Sequence, residues 1–216
     1  MIEKNLHLAG ARLVARWFDV VAMIPTQSFR HRRRHIYRRL ASALFPLTIL
    51  IRPLTADEWP RYRDVRLRAL ADAPDSFGST YVREAAFSDD EWKARLESAR
   101  SDLDALPLVA EESGTFVGLT WARLDANESR LAQVYQVWVA PTHRRRGVGR
   151  GLMEAVTRWA HQRGVRRLAL DVTCGNVAAL AMYERAGFAP TGESKPVRPG
   201  SELRSQAMEL TLGDLP

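Results

Sequence analysis

One cysteine, Cys174, stands in 216 residues, so the chain can close no internal disulfide and offers no multi-cysteine metal cage. Histidines are few and scattered, at 7, 31, 35, 143 and 161, with no zinc-ligand spacing, so metal catalysis has no support. The nucleotide loop G-x-x-x-x-G-K-[ST] is missing. So is G-x-G-x-x-G with an acidic residue about 20 positions on, which removes the dinucleotide fingerprint. No apolar run is long enough to cross a bilayer: the best stretch, residues 6–24, is interrupted by Arg12, Arg16 and Asp19. That stretch also lacks the continuous apolar centre and small-residue cleavage site of a signal peptide. The expectation is a cytoplasmic protein.

The net charge of +7 is unevenly spread. Residues 1–52 carry ten Lys/Arg against two acids, whereas residues 53–216 carry twenty-two against twenty-three. The basic character therefore belongs to the N-terminal segment, and the isoelectric point is no nucleic-acid signature of the remainder. We expect a basic extension over residues 1–47 and one domain over 48–216, since 46% hydrophobic residues suffice for one substantial core. Three readings of the extension stay open: a basic amphipathic arm, a helical accessory, or an upstream extension from a misassigned start. Contact with nucleic acid or membrane through it is disfavoured.

The most informative run is Val137-Trp138-Val139-Ala-Pro-Thr-His143-Arg144-Arg145-Arg146-Gly147-Val148-Gly149-Arg150. An apolar β-rich stretch passes through arginines and two spaced glycines directly into an amphipathic helix. Glycines let the backbone take positive φ and approach a ligand closely. Successive N–H groups in such a turn form an anion nest, to which the following helix adds its positive end. Strand, arginine-glycine loop and helix together make a device for holding a pyrophosphate.

Elsewhere the chain alternates strands and helices. Residues 47–52 read as a strand ended by Pro53. Thr55-Ala-Asp-Glu58 and Ser88-Asp-Asp-Glu91 are capping boxes that open helices to about Ala71 and Arg100. Strands follow at 106–111, 116–124 and 131–139. A helix from about Gly149 to His161 or Gln162 stops at Gly164 and buries Leu152, Val156 and Trp159. A strand at 167–172, a helix at 176–186 closed by Gly187, and strands around Thr191 and 206–212 complete the order β-α-α-β-β-β-α-β-α-β-β.

A second motif lies at Asp171-Val-Thr-Cys174-Gly-Asn176 and onward through Tyr183-Glu-Arg-Ala-Gly187-Phe188. Asn176 and Tyr183 stand seven residues apart, about two helical turns, which puts both on one face. The R-x-x-G-x-G of Arg144–Gly149 and this second run resemble, in order and spacing, the two coenzyme motifs of the GNAT N-acetyltransferase family. The resemblance covers about residues 48–213. It implies an α/β acyl-CoA N-acyltransferase fold, a mixed twisted sheet of about seven strands flanked by about four helices.

The resemblance also implies acetyl-CoA as co-substrate, an amine as acceptor, and direct transfer in a ternary complex. Homodimerisation is left open. The backbone of Val137, Trp138 and Val139 would pair with the pantetheine arm and polarise the thioester carbonyl. Arg144, Arg145, Arg146, Gly147, Val148, Gly149 and Arg150 would hold the pyrophosphate, and Asn176 would hydrogen-bond the coenzyme. Tyr183 would protonate the leaving thiolate, and Asp171 would serve as base, although a salt bridge or loop cap is an equal use of that carboxylate. His143, at the edge of the loop, suits a backbone or solvent role, and Cys174 a small filler.

Acceptor choice would fall to residues 71–87 and 194–205, where Asp75, Phe77, Tyr81 and Glu84 could receive a cationic amine. The rival reading is a catalytically inactive coenzyme-binding or nucleic-acid-associated module that uses the basic arm.

Overall fold

A computed structural model describes residues 48–101 and 104–213. The expected basic extension lies outside the described residues. Seven strands form one sheet in the order β1-β2-β3-β4-β5-β7-β6. They are β1 (Leu50–Pro53), β2 (Ala105–Glu112), β3 (Thr115–Leu124), β4 (Leu131–Val139), β5 (Arg167–Thr173), β6 (Ala189–Pro196) and β7 (Arg204–Thr211). Every neighbouring pair is antiparallel except β4 and β5.

Among the described residues five α-helices accompany the sheet: α1 (Trp59–Asp72), α2 (Tyr81–Ala85), α3 (Asp89–Ser101), α4 (Val148–Gln162) and α5 (Val177–Arg185). The sequence leads to four. The addition is α2, a single turn and a half inside the expected acceptor loop, where Thr80 Oγ1 accepts from the Arg83 N–H at 3.3 Å. Five residues are too few for an apolar period to register.

The capping signals operate as the sequence suggests. The Ser88 N–H donates to Glu91 Oε2 at 2.7 Å while the Glu91 N–H donates to Ser88 Oγ at 3.3 Å. Thr55 N–H donates to Glu58 Oε2 at 3.0 Å. Gly164 takes φ +68° after α4, and Val165 N–H reaches back to the Ala160 carbonyl at 3.0 Å, closing the helix end.

β3 is buried along most of its length because helices cover both faces of it. Alternation sends residues an odd number apart to opposite faces. Gly118 accordingly lies under α4, with Val148 and Leu152 each 3.3 Å from the place of its absent Cβ. Trp121 lies on the other face against Tyr62 of α1, ring centroids 5.3 Å apart. Trp92 and Leu96 of α3 are fully buried, and Leu152, Val156 and Trp159 of α4 line the opposite core, as their spacing requires. Each large apolar side chain so buried contributes about 1.5–3 kcal/mol. β6 forms one edge of the sheet and carries Pro190, Lys195 and Pro196, residues that discourage further strand pairing.

Candidate active site

The sheet comes apart in the middle. β4 pairs with β5 only at Leu131–Arg167, Ala132–Leu168 and Gln133–Ala169. Beyond that register β5 stays with β7 through Thr173, while β4 stays with β3 through Val139. A wedge therefore opens between the second halves of two parallel neighbours, and one edge of β4 runs along it without a strand partner. The segment Val137–Val139 lies on that edge.

A bulge shapes the same stretch. Leu119 pairs with Trp138 but Trp121 pairs with Tyr135, so Gln136 and Val137 together face Thr120. Gln136 adopts φ +60°, a conformation uncommon outside glycine, and its side chain is buried. Tyr62 holds it, donating its hydroxyl proton to Gln136 Oε1 at 3.1 Å. Burial raises the Tyr62 phenol to about 12, so it remains a donor at neutral pH. Nothing in the sequence marks Gln136, because a bulge leaves no compositional trace when the strand pattern on either side is intact.

The arginine-glycine loop turns at Arg145 (φ +60°) and Gly147 (φ +82°), both left-handed. Gly147 is the N-cap of α4, and the helix's first recorded backward bond runs from the Gly151 N–H to the Gly147 carbonyl at 2.9 Å. The N–H groups of Val148, Gly149 and Arg150 precede that bond and point out of the helix end. Gly149 is not at positive φ, contrary to the expectation that both glycines serve the turn. Its missing Cβ makes room for α5, since a Cβ there would stand 2.7 Å from Met182 Sδ. Met182 precedes Tyr183, so this contact brings α5 against the loop.

The four arginines separate into two kinds. Arg144 donates to the Val139 carbonyl at 3.0 Å and pairs with Asp72, which also accepts from Trp138 Nε1 at 2.8 Å. Arg146 pairs with Glu112 at 2.5 Å, and His143 Nε2 lies 2.9 Å from the same carboxylate. His143 and Arg146 hold Glu112 below the usual carboxylate range, chiefly through their hydrogen bonds to it. These side chains fasten the loop to the ends of α1 and β2. His143 is thus a carboxylate partner rather than the backbone or solvent group expected. Arg145 is exposed, and Arg150 is largely exposed, with one contact to Glu154 at 3.2 Å.

Tyr183 is 6% exposed and meets Phe188 edge-on at 5.8 Å. No described residue hydrogen-bonds its hydroxyl, and burial pushes the phenol well above its ordinary range. Asn176 caps α5, accepting from the Ala179 N–H at 3.1 Å and donating to Ser76 Oγ at 3.2 Å. Asp171 is about half exposed and ion-paired with Lys195 at 3.0 Å. Cys174 is exposed, which removes the expectation that it fills space. Glu84, expected to receive a cationic amine, is buried and already has two cations: Arg66 at 2.7 Å and Arg95 at 3.2 Å. A cavity of about 340 Å³ in the wedge is lined by Glu84 and Asp171 together with Gln136, among others.

A parted sheet and an arginine-glycine turn at a helix N-terminus, with the tyrosine-bearing α5 packed against that turn through Met182, define one class of α/β fold. The chain belongs to the Acetyltransferase (GNAT) family, which it matches over residues 59–188. Its relatives include a mycothiol acetyltransferase of Salinispora tropica, 35% identical over an alignment of 167 positions that covers 71% of this chain and 53% of that one. The chain spans about half the length of the curated relatives it matches. A ribosomal-protein-alanine N-acetyltransferase from Brucella melitensis superposes with a TM-score of 0.64 at 26% identity, covering 76% of this chain and all but 1% of the other. An acetyltransferase from Salmonella typhimurium, solved with its cofactor acetyl-CoA, has the same fold. Its TM-score is 0.64 at 21% identity, covering 78% of this chain and 96% of that one.

Proposed function

We propose that the chain is an acetyl-CoA-dependent N-acetyltransferase that passes the acetyl group directly to an amine. The observation that carries this reading is the parting of β4 from β5 beyond Gln133 and Ala169, which leaves a strand edge for an extended ligand beside an anion-binding helix end. The pantetheine arm lies along Val137–Val139, and the backbone N–H groups at the start of α4 take the pyrophosphate. Arg145 and Arg150 are exposed to meet its charge. Arg144 and Arg146 contribute by fixing the loop.

The amine lone pair attacks the thioester carbonyl, a C–N bond forms and the C–S bond breaks. N–H donors at the β4 bulge stabilise the negative charge that develops on the carbonyl oxygen. Tyr183 gives its proton to the departing thiolate; burial keeps the phenol protonated while making it a weaker acid, so the negative charge developing on the sulfur must draw the proton off. The proton lost by the amine goes to Asp171 and on to solvent, once Asp171 is released from Lys195. An exposed pair of that kind is worth about 0–1 kcal/mol, so its opening is no obstacle. Asn176 anchors α5 so that Tyr183 faces the sulfur.

Calorimetric titration with acetyl-CoA, followed by thiol release against a panel of amines, tests the proposal. Saturable binding with release for one amine class is expected. Absence of acetyl-CoA binding would overturn the assignment of residues 137–150.

A further inference from the structure

The cavity beneath the wedge has a charge pattern that selects among amines. Five charged side chains line it: Arg66, Arg95 and Lys195 against Glu84 and Asp171. Glu84 is shared between the two arginines, and Asp171 is occupied by Lys195 at 3.0 Å. Both acids are therefore already matched, and one positive charge is left over. Arg66 is 2% exposed and grips Glu84 with Nε and Nη2, at 3.0 and 2.7 Å. Its third nitrogen, Nη1, is buried with no acceptor. A guanidinium N–H buried without an acceptor is destabilising, a cost that a bound oxygen would remove. Burial raises the cost of charging Glu84, yet the hydrogen bonds and charge of Arg66, with the charge of Arg95, outweigh it and keep the carboxyl ionised. The acid thus stays matched to its arginines rather than free for an incoming cation.

Resting on the transferase reading above, we infer that the acceptor is a small amine that also carries a carboxylate, which neutralises the surplus positive charge of this cavity and is bound by Arg66. A diamine or polyamine would bring a second cation to a site with no unmatched acid. A monoanion balances the surplus, and Nη1, the one guanidinium nitrogen not engaged with Glu84, is the donor left for a carboxylate oxygen. A cavity of about 340 Å³ is at the small end for ligand pockets, in keeping with an acceptor of amino-acid size.

Two matched triplets test this on the full chain: L-phenylalanine, L-phenylalaninamide and phenethylamine, then L-lysine, L-lysinamide and cadaverine. Thiol release from acetyl-CoA is expected at least tenfold higher in kcat/KM for the carboxylate member of a triplet than for its two partners. Arg66→Lys keeps a cation for Glu84 but removes the Nη1 donor. It is expected to raise KM for the carboxylate member about tenfold and leave the amide member within twofold. The wild-type ratios stand even if that variant does not fold. Equal or greater rates with the amide or decarboxylated members would overturn the inference and leave the transferase intact. Release with no amine from a protein that binds acetyl-CoA would overturn both.

Discussion

The two sides of the wedge are built differently. The coenzyme side is contiguous: β4, the arginine-glycine turn and α4 follow one another in 32 residues, and backbone groups supply most of what would touch the ligand. The acceptor side is assembled from α1, α2, α3, β5 and β6, and it works through side chains whose charges are settled among themselves before any ligand arrives. Backbone machinery tolerates change in side chains but not in φ. Side-chain machinery shows the reverse.

The largest effect we expect therefore lies on the acceptor side and concerns stability. Glu84→Gln leaves Arg66 buried without its counter-charge, which costs about 3–5 kcal/mol. Urea denaturation reads this, and a loss below about 1 kcal/mol would show the pair to be dispensable. The same carboxylate gives a pH signature, together with Glu58. The Arg52 hydrogen bond is the chief cause holding Glu58 down at about 2 from an ordinary 4.5, helped by the Thr55 N–H. Both carboxylates are depressed in the folded state; the stabilisation from Glu58 is complete above about 4.5 and drains away as pH falls toward 2, and that from Glu84 is lost in the same direction. Denaturation midpoints across that window should fall, and Glu58→Gln should flatten the slope.

Next comes turnover. Tyr183→Phe removes the proton donor while keeping the ring against Phe188, so kcat should drop about 100-fold or more with acetyl-CoA affinity unchanged. Full activity would end its role as acid. The smallest effect is on the coenzyme side. Gly147→Ala meets no atom within 4 Å of the new Cβ, so only the left-handed backbone opposes it, at about 1–2 kcal/mol. Calorimetry should show acetyl-CoA affinity weakened by about tenfold, whereas Arg145→Ala, at a position already non-glycine, should weaken it less.

The contrast also governs what could be read from the sequence. The turn, both capping boxes, the glycine stops and the succession of strands and helices along the chain were legible because each is a local pattern with a local cause. The helix α2 was not, because it is too short to show a period. The roles within the arginine run were not legible either. Arg144 and Arg146 are distinguished from Arg145 only by Asp72 and Glu112, acids that lie 72 and 34 residues away along the chain. Glu84 looked like a receiver of cations because the sequence shows its charge but not its two arginines.

The missing rungs between β4 and β5 have a consequence for handling the protein. An unpaired strand edge inside a sheet is an adhesive surface, able to accept a strand from any chain that reaches it. A ligand lying along that edge is therefore also a guard against self-association. Light scattering at rising protein concentration, with and without acetyl-CoA, should show the empty protein to be the stickier of the two.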